Sequence, residues 1–209
     1  ASADLFSQLS GGSPSGSVAG LRSRLAVIYS GEKKFEEARS NIRETLRIRT
    51  RLQQESGIAF AYILAARIEL AANQPEAAMK FALNAQAAAA RTKLDDVIAE
   101  ATEIEADVIL ESGKVDALPR SIAAYRTALD VYKRSELRPS LVRASASLGA
   151  VYERVGDPAK AEAAYKESVA AAEAMRQILV NNAVRKRRPK HGGDRQRVDL
   201  DASATLSND

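Results

Sequence analysis

The residues best equipped for chemistry in this chain are carboxylates at helical spacing. Glu100, Glu103 and Asp107 stand three and four positions apart, which puts them on one face of a helix. Glu36-Glu37 and Asp95-Asp96 are adjacent pairs. Acid–base catalysis needs two such groups in unlike environments facing a substrate, whereas carboxylates at these spacings are ordinary on a solvated helix surface. Nothing in the sequence completes them. The chain has one histidine, His191, in a charged stretch, and no cysteine. That excludes disulfides, thiolate metal sites, cysteine nucleophiles and multi-histidine metal centres. The phosphate-binding patterns G-x-x-x-x-G-K-[ST] and G-x-G-x-x-G and the metalloprotease pattern H-E-x-x-H do not occur. Gly11-Gly12 and Gly192-Gly193 sit in terminal stretches, not between a strand and a helix. Without a nucleophile–base constellation the expectation is a protein that is not an enzyme and takes no cofactor or metal.

The elements that carry those carboxylates are helical. Of the 209 residues 45% are hydrophobic and 28% charged, enough for a packed core. No apolar run approaches the roughly 20 residues of a membrane span. Residues 181–209 hold seven Lys/Arg against four Asp, leaving 24 and 23 in the first 180. The basic character therefore belongs to the end of the chain, and the body is nearly neutral. Residues 1–17 are rich in Ser and Gly with Pro14 and read as a linker. They lack the basic-then-apolar order of a signal peptide. From 18 to 180 apolar residues recur at helical spacings of three and four, as in Leu25, Ile28, Tyr29 and Phe35, Ala38, Ile42, Leu46.

The helical stretch repeats itself. Four segments, beginning at Phe35, Pro75, Leu118 and Pro158, each place a small residue three positions in: Ala38, Ala78, Ser121 and Ala161. Four later come Ile42, Ala82, Tyr125 and Tyr165, and three beyond those Thr45, Ala85, Ala128 and Ser168. The preceding segments carry a second series of small residues, Ala26, Ala66, Ala106 and Gly149. Both series keep one interval throughout, except for a single step that is longer by three. In the first series that step runs from Ala78 to Ser121, and in the second from Ala106 to Gly149. The difference places a short insertion within Gly113–Leu118. Fixed-interval self-similarity of this kind marks a repeat architecture. Asp157-Pro158 reads as an N-cap followed by a first-turn proline, with Asn73-Gln74-Pro75 doing similar work. Gly113 and Gly156 suit helix ends that need positive φ.

The fourth unit, with Leu148-Gly149, Tyr152, Gly156, Ala161 and Tyr165, resembles the tetratricopeptide repeat family. The first unit keeps Leu25-Ala26, Tyr29, Phe35 and Ala38, while the second and third have Glu69 and Ile109 where Tyr is expected. The period, about 40 residues, exceeds the family's usual length of about 34 residues, as in long-period variants of bacterial signalling proteins. The resemblance covers about residues 18–180. It implies an all-α fold, a right-handed superhelical solenoid of about four antiparallel helix pairs, followed by a basic, flexible tail at 181–209. It further implies an adaptor or scaffold with a concave face lined by the first helix of each pair.

In this register the lining rows are Ser23, Ile63, Glu103, Ala146 and Val27, Arg67, Asp107, Ala150, with Arg143 and Arg154 flanking. Ile63, Arg67, Glu100, Glu103, Asp107 and Arg143 are the candidate partner-binding residues, an acidic centre with basic margins suited to a peptide carrying basic residues. Alternatively, Arg67 and Asp107, one repeat apart, form a surface ion pair between neighbouring units. The lysine–asparagine clamp by which some relatives grip a C-terminal carboxylate is absent from these rows. In the tail, Arg185, Lys186, Arg187 and Arg188 are candidate contacts for an anionic surface or nucleic acid, the alternative being a solvated tail or a localisation signal. Ile178, Leu179 and Val180 suggest self-association or a place in a larger assembly. The reading expects a protein or peptide partner, no transmembrane segment and a cytoplasmic location, with the periplasm as the alternative.

Overall fold

The computed structural model describes residues 15–187 and is all-helical over that range. The helices are α1 (Gly16–Gly31), α2 (Phe35–Arg51), α3 (Glu55–Ala71), α4 (Pro75–Thr92), α5 (Asp95–Glu111), α6 (Leu118–Arg134), α7 (Arg138–Arg154) and α8 (Pro158–Arg187). They pair as α1–α2, α3–α4, α5–α6 and α7–α8, the four expected units. Residues up to Ala172 make up one compact unit, and those from Glu173 onward a second.

One turn, repeated, sets the architecture. The residue joining each helix to the next is left-handed: Lys33, Gln53, Asn73, Lys93, Gly113, Glu136 and Gly156, with φ between 52° and 74°. These positions recur at one constant interval, except for a single longer step from Gly113 to Glu136. In six of the seven turns the next residue donates its backbone N–H to the carbonyl five back, as Gln54 does to Arg49 (3.0 Å) and Leu137 to Tyr132 (2.9 Å). This bond caps a helix whose last carbonyls would otherwise lack donors. The exception follows Gly113, where Val115–Ala117 forms a 3₁₀ turn. That short turn is the inserted segment expected from the spacing.

The following helix starts without help from a side chain in most cases. Asp157 does cap, its Oδ1 accepting from the N–H of Lys160 (3.1 Å), and Ser15 caps α1 through Val18 (3.3 Å). With that cap in place Gly16 and Ser17, read above as the end of the linker, open α1 instead. Gln74 makes no capping bond, and Asn73 occupies the left-handed position. The reading of Asn73-Gln74-Pro75 as a counterpart of the Asp157 cap is corrected accordingly.

Packing follows the small residues. Ala26, Ala66, Ala106, Ala38, Ala78, Ser121 and Ala161 are all at most 3% exposed, and Gly149 is buried. Tyr165 explains the glycine: a Cβ at 149 would lie 2.6 Å from its Cε1. The core runs along the array as successive clusters, from Ala26, Ile42 and Ile68, through Ile63, Ala85 and Ile104, to Leu118, Tyr125, Leu129 and Val151. First helices of neighbouring pairs also touch one another: α1 with α3, α3 with α5 and α5 with α7. No comparable contact joins α2 with α4 or α4 with α6. The first helices therefore form the tighter, inner wall of the solenoid.

α8 continues beyond residue 180 to Arg187. Residues 181–187, expected to belong to a flexible tail, are helical. In the second unit, Ile178, Leu179, Val180 and Val184 are exposed. The linker expected at 1–14 and the tail expected from Arg188 onward fall outside the described residues. Among the described residues no helix is long and apolar enough to cross a membrane.

Candidate functional site

The inner wall carries a ladder of charges across three successive first helices. Arg67 on α3 donates from Nε and Nη2 to Oε1 of Glu100 on α5 (2.9 and 2.7 Å). Its Nη2 also stands 3.8 Å from Glu103. Glu103 is fully buried and accepts two bonds from Arg143 of α7, at 2.6 and 2.8 Å. The Tyr132 hydroxyl of α6 adds a third at 2.7 Å. A carboxylate without exposure is tolerated only when paired and hydrogen-bonded in this way. Burial, then the charge of Glu103, hold the Tyr132 hydroxyl in its protonated form by raising its pKa.

Asp107 stands apart from this ladder. The expected pair with Arg67 is replaced by Arg67–Glu100. The reason is directional: first helices run parallel, and side chains on a helix lean toward its N-terminus. Arg67 thus reaches the residues one and two turns before its register partner. Asp107 instead accepts from the Tyr125 hydroxyl. Burial, its largest influence, pushes its carboxyl up to about 6; the Tyr125 bond pulls down, Glu103 pushes up, and Arg67 and Arg143 pull down.

Of the six candidate residues, five therefore meet in one polar neighbourhood, but not as an open acidic centre. Glu103 is sealed beneath the surface, and Arg67, Glu100 and Arg143 spend their charges on one another. Ile63 is 3% exposed and packs in the core with Ala85 and Ile104, so it supports the wall from beneath. Arg154, expected as a basic margin, donates to the carbonyl of Leu110 (2.7 Å), closing the C-terminal end of α5. For the tail candidates, the backbones of Arg185, Lys186 and Arg187 are helical, and Arg188 lies outside the described residues.

Sequence reasoning overlooked two features. Glu69, where the repeat pattern calls for Tyr, is held by Arg39 of α2 through Nε and Nη2 at 2.9, 3.2 and 2.6 Å. A bidentate pair thus replaces an aromatic contact. A hollow of about 560 Å³ lies between the third and fourth pairs, floored by Leu129, Leu148, Tyr152 and Ala164. Its walls largely satisfy themselves: Lys133 bridges to Glu167 (2.7 Å), and Lys160 lies over the Tyr152 ring (5.7 Å) while pairing with Asp157 (2.6 Å). Among the described residues no group of three or more His, Cys, Asp or Glu is placed to hold a metal ion.

Comparisons with known proteins agree with this geometry. A family model described as "Tetratricopeptide repeat" matches residues 116–174. A second, described as "ECF sigma factor", matches residues 150–208. The two overlap at residues 150–174, which form the closing turn of α7 and the start of α8. No curated protein matches the sequence significantly. Among solved structures, BtubC (BKLC) from P. vanneervenii is similar with a TM-score of 0.58 at 20% identity, covering 76% of this chain and 65% of that one. Aspartyl phosphate phosphatase F from Bacillus subtilis is similar with a TM-score of 0.64 at 17% identity, covering 75% of this chain and 40% of that one. The chain spans less than two thirds of either, and at such identities the likeness shows the fold alone. The repeat matched at residues 116–174, the fourfold register and the paired helices agree on a tetratricopeptide-repeat architecture of long period.

Proposed function

We propose that the chain is a non-enzymatic interaction module, an adaptor or regulatory part of a larger assembly, that takes a protein segment on its inner face. The observation that carries this reading is the stacking of first helix on first helix, which leaves one continuous wall offering both polar and apolar side chains. Repeat arrays commonly bind through such walls. The ladder weighs against a basic peptide, because Glu100 and Glu103 already have their arginines and leave little acidic attraction for one. The test is affinity capture with the full chain and two variants. Ala150→Arg obstructs the inner row on α7, and Leu83→Glu alters an exposed position on α4. Loss of the captured proteins with the first and retention with the second is the expected result. Retention with both refutes the reading.

A second reading has its own observation, the match of residues 150–208 to an ECF sigma factor model. The seven Lys/Arg of residues 181–209 are of the kind that neutralise phosphates. This reading expects DNA binding that weakens steeply with salt and is lost when residues 183–209 are removed.

A further inference from the structure

We infer that the first two pairs form an apolar seat on the inner face for one amphipathic helix of a protein partner, its apolar stripe edged by a carboxylate. This rests on the inner-face reading above and names the chemistry of what docks there. Three large apolar side chains stand in the open on these first helices, Val27 and Ile28 of α1, 51% and 54% exposed, and Phe60 of α3, 45% exposed; Val27 and Phe60 are the two that share the face described here. The repeat register sets Gly20 beside Phe60, Arg24 beside half-buried Leu64, and Val27 beside Arg67.

Gly20 supplies an independent observation. It lies inside α1, where glycine is costly relative to alanine, and it does not adopt positive φ. A Cβ there would meet nothing within 4 Å. Gly149 and Gly57 differ, since a Cβ at either would press on Tyr165 or Arg49. The packing among the described residues thus gives no reason for the missing side chain at 20. Bare backbone beside an exposed aromatic ring lets another helix approach closely while burying its own apolar residues against Phe60, Leu64 and Val27.

Charge selects the edge of that helix. Arg67, Glu100, Glu103 and Arg143 spend their charges on one another in the ladder, and Asp107 is taken by Tyr125. Arg24 is exposed and forms no ion pair among the described residues. It is a spare cation beside the apolar seat, so a glutamate or aspartate flanking the docked stripe meets it.

The experiment uses the full chain and two synthetic helical peptides of about 18 residues with the same leucine stripe, one flanked by Glu and the other by Lys. Titration is followed by fluorescence anisotropy of the labelled peptide. The Glu-flanked peptide is expected to bind in preference, and Arg24→Glu to reverse the preference. Phe60→Ser and Gly20→Leu are each expected to weaken binding about tenfold or more. Gly20→Leu is the sharper variant, because the open space at 20 lets it fold with a Tm equal to or above that of the parent. Binding of neither peptide, binding without charge preference, or full binding by Gly20→Leu overturns the proposal. If protein capture is lost with Ala150→Arg but unaffected by Phe60→Ser and Gly20→Leu, the seat fails and the inner-face reading stands. If all three leave capture intact, both fail.

Discussion

Replacing Gly149 with alanine sets two known effects against each other. Alanine in a helix interior is favoured over glycine by about 0.8–1 kcal/mol. Here the added methyl would sit 2.6 Å from Cε1 and 2.8 Å from Cδ1 and Cζ of Tyr165, closer than carbon atoms tolerate. Overpacking of this kind costs about 1–3 kcal/mol. The ring is wedged between α7 and α8, beside Ala161 and Ala164 of its own helix, so relief requires the helices to part. The expected net effect of Gly149→Ala is a loss of up to about 2 kcal/mol in urea unfolding. The same substitution in a Tyr165→Ala background should instead stabilise by about 1 kcal/mol, since only the helix preference remains. The coupling from the double-mutant cycle is then about 1–3 kcal/mol. A Gly149→Ala chain that is more stable in both backgrounds, with no coupling, would show that the seam is not closed by Tyr165 on Gly149.

Four further outcomes are expected. Glu103→Ala leaves Arg143 and Tyr132 without their buried acceptor and should cost about 3–5 kcal/mol in denaturant unfolding, with Glu103→Gln milder because it still accepts from both. Asp107 has a native carboxyl raised to about 6 from an ordinary 3.8; its stabilising contribution is complete below about pH 4 and disappears as pH climbs through 6. Asp107→Asn should therefore gain on the parent at pH 7–8 and remove that component of the pH profile, as followed by thermal melts across pH 4–8. The Ser145 hydroxyl is buried without a hydrogen-bond partner among the described residues, so Ser145→Ala should raise stability by about 1 kcal/mol, read as an upward shift in Tm. Glu136 sits at φ 53°, and Glu136→Gly should stabilise by about 0.5–1 kcal/mol by removing the left-handed penalty; a lower Tm would contradict the turn geometry.

The spacing of alanines was informative because small side chains at a helix seam have no substitute: Ala38, Ala78, Ser121 and Ala161 hold equivalent buried places. The comparison of two marker series located the insertion that forms the turn at Val115–Ala117. The left-handed turns were legible only at Gly113 and Gly156. Lys33, Gln53, Lys93 and Glu136 adopt the same φ because the flanking helices and the capping bond impose it, and their side chains give no sign of it. The ladder was half legible. Sequence register put Arg67, the carboxylates and Arg143 on one wall, but register pairs Cα positions, and long side chains do not stay level with their own Cα. Glu103 illustrates the remaining gap. A carboxylate on a charged helix reads as solvated until Tyr132 and Arg143, from two other helices, are seen to enclose it.

The uniform turn makes the length of this protein a quantity that can be edited. Excising residues 55–94 would join Gln54 to Asp95, bringing together a left-handed turn and a helix start that already serve these roles in the intact chain. Contacts in such an array run mainly between neighbours, so a shortened protein has a defined fold available to it, with α2 delivering the chain into α5. The excision would also remove Arg67, leaving Glu100 to Arg143 alone across a distance of 3.9 Å. Shortening by one pair would therefore test where the array stops behaving as interchangeable parts and begins to behave as a single body.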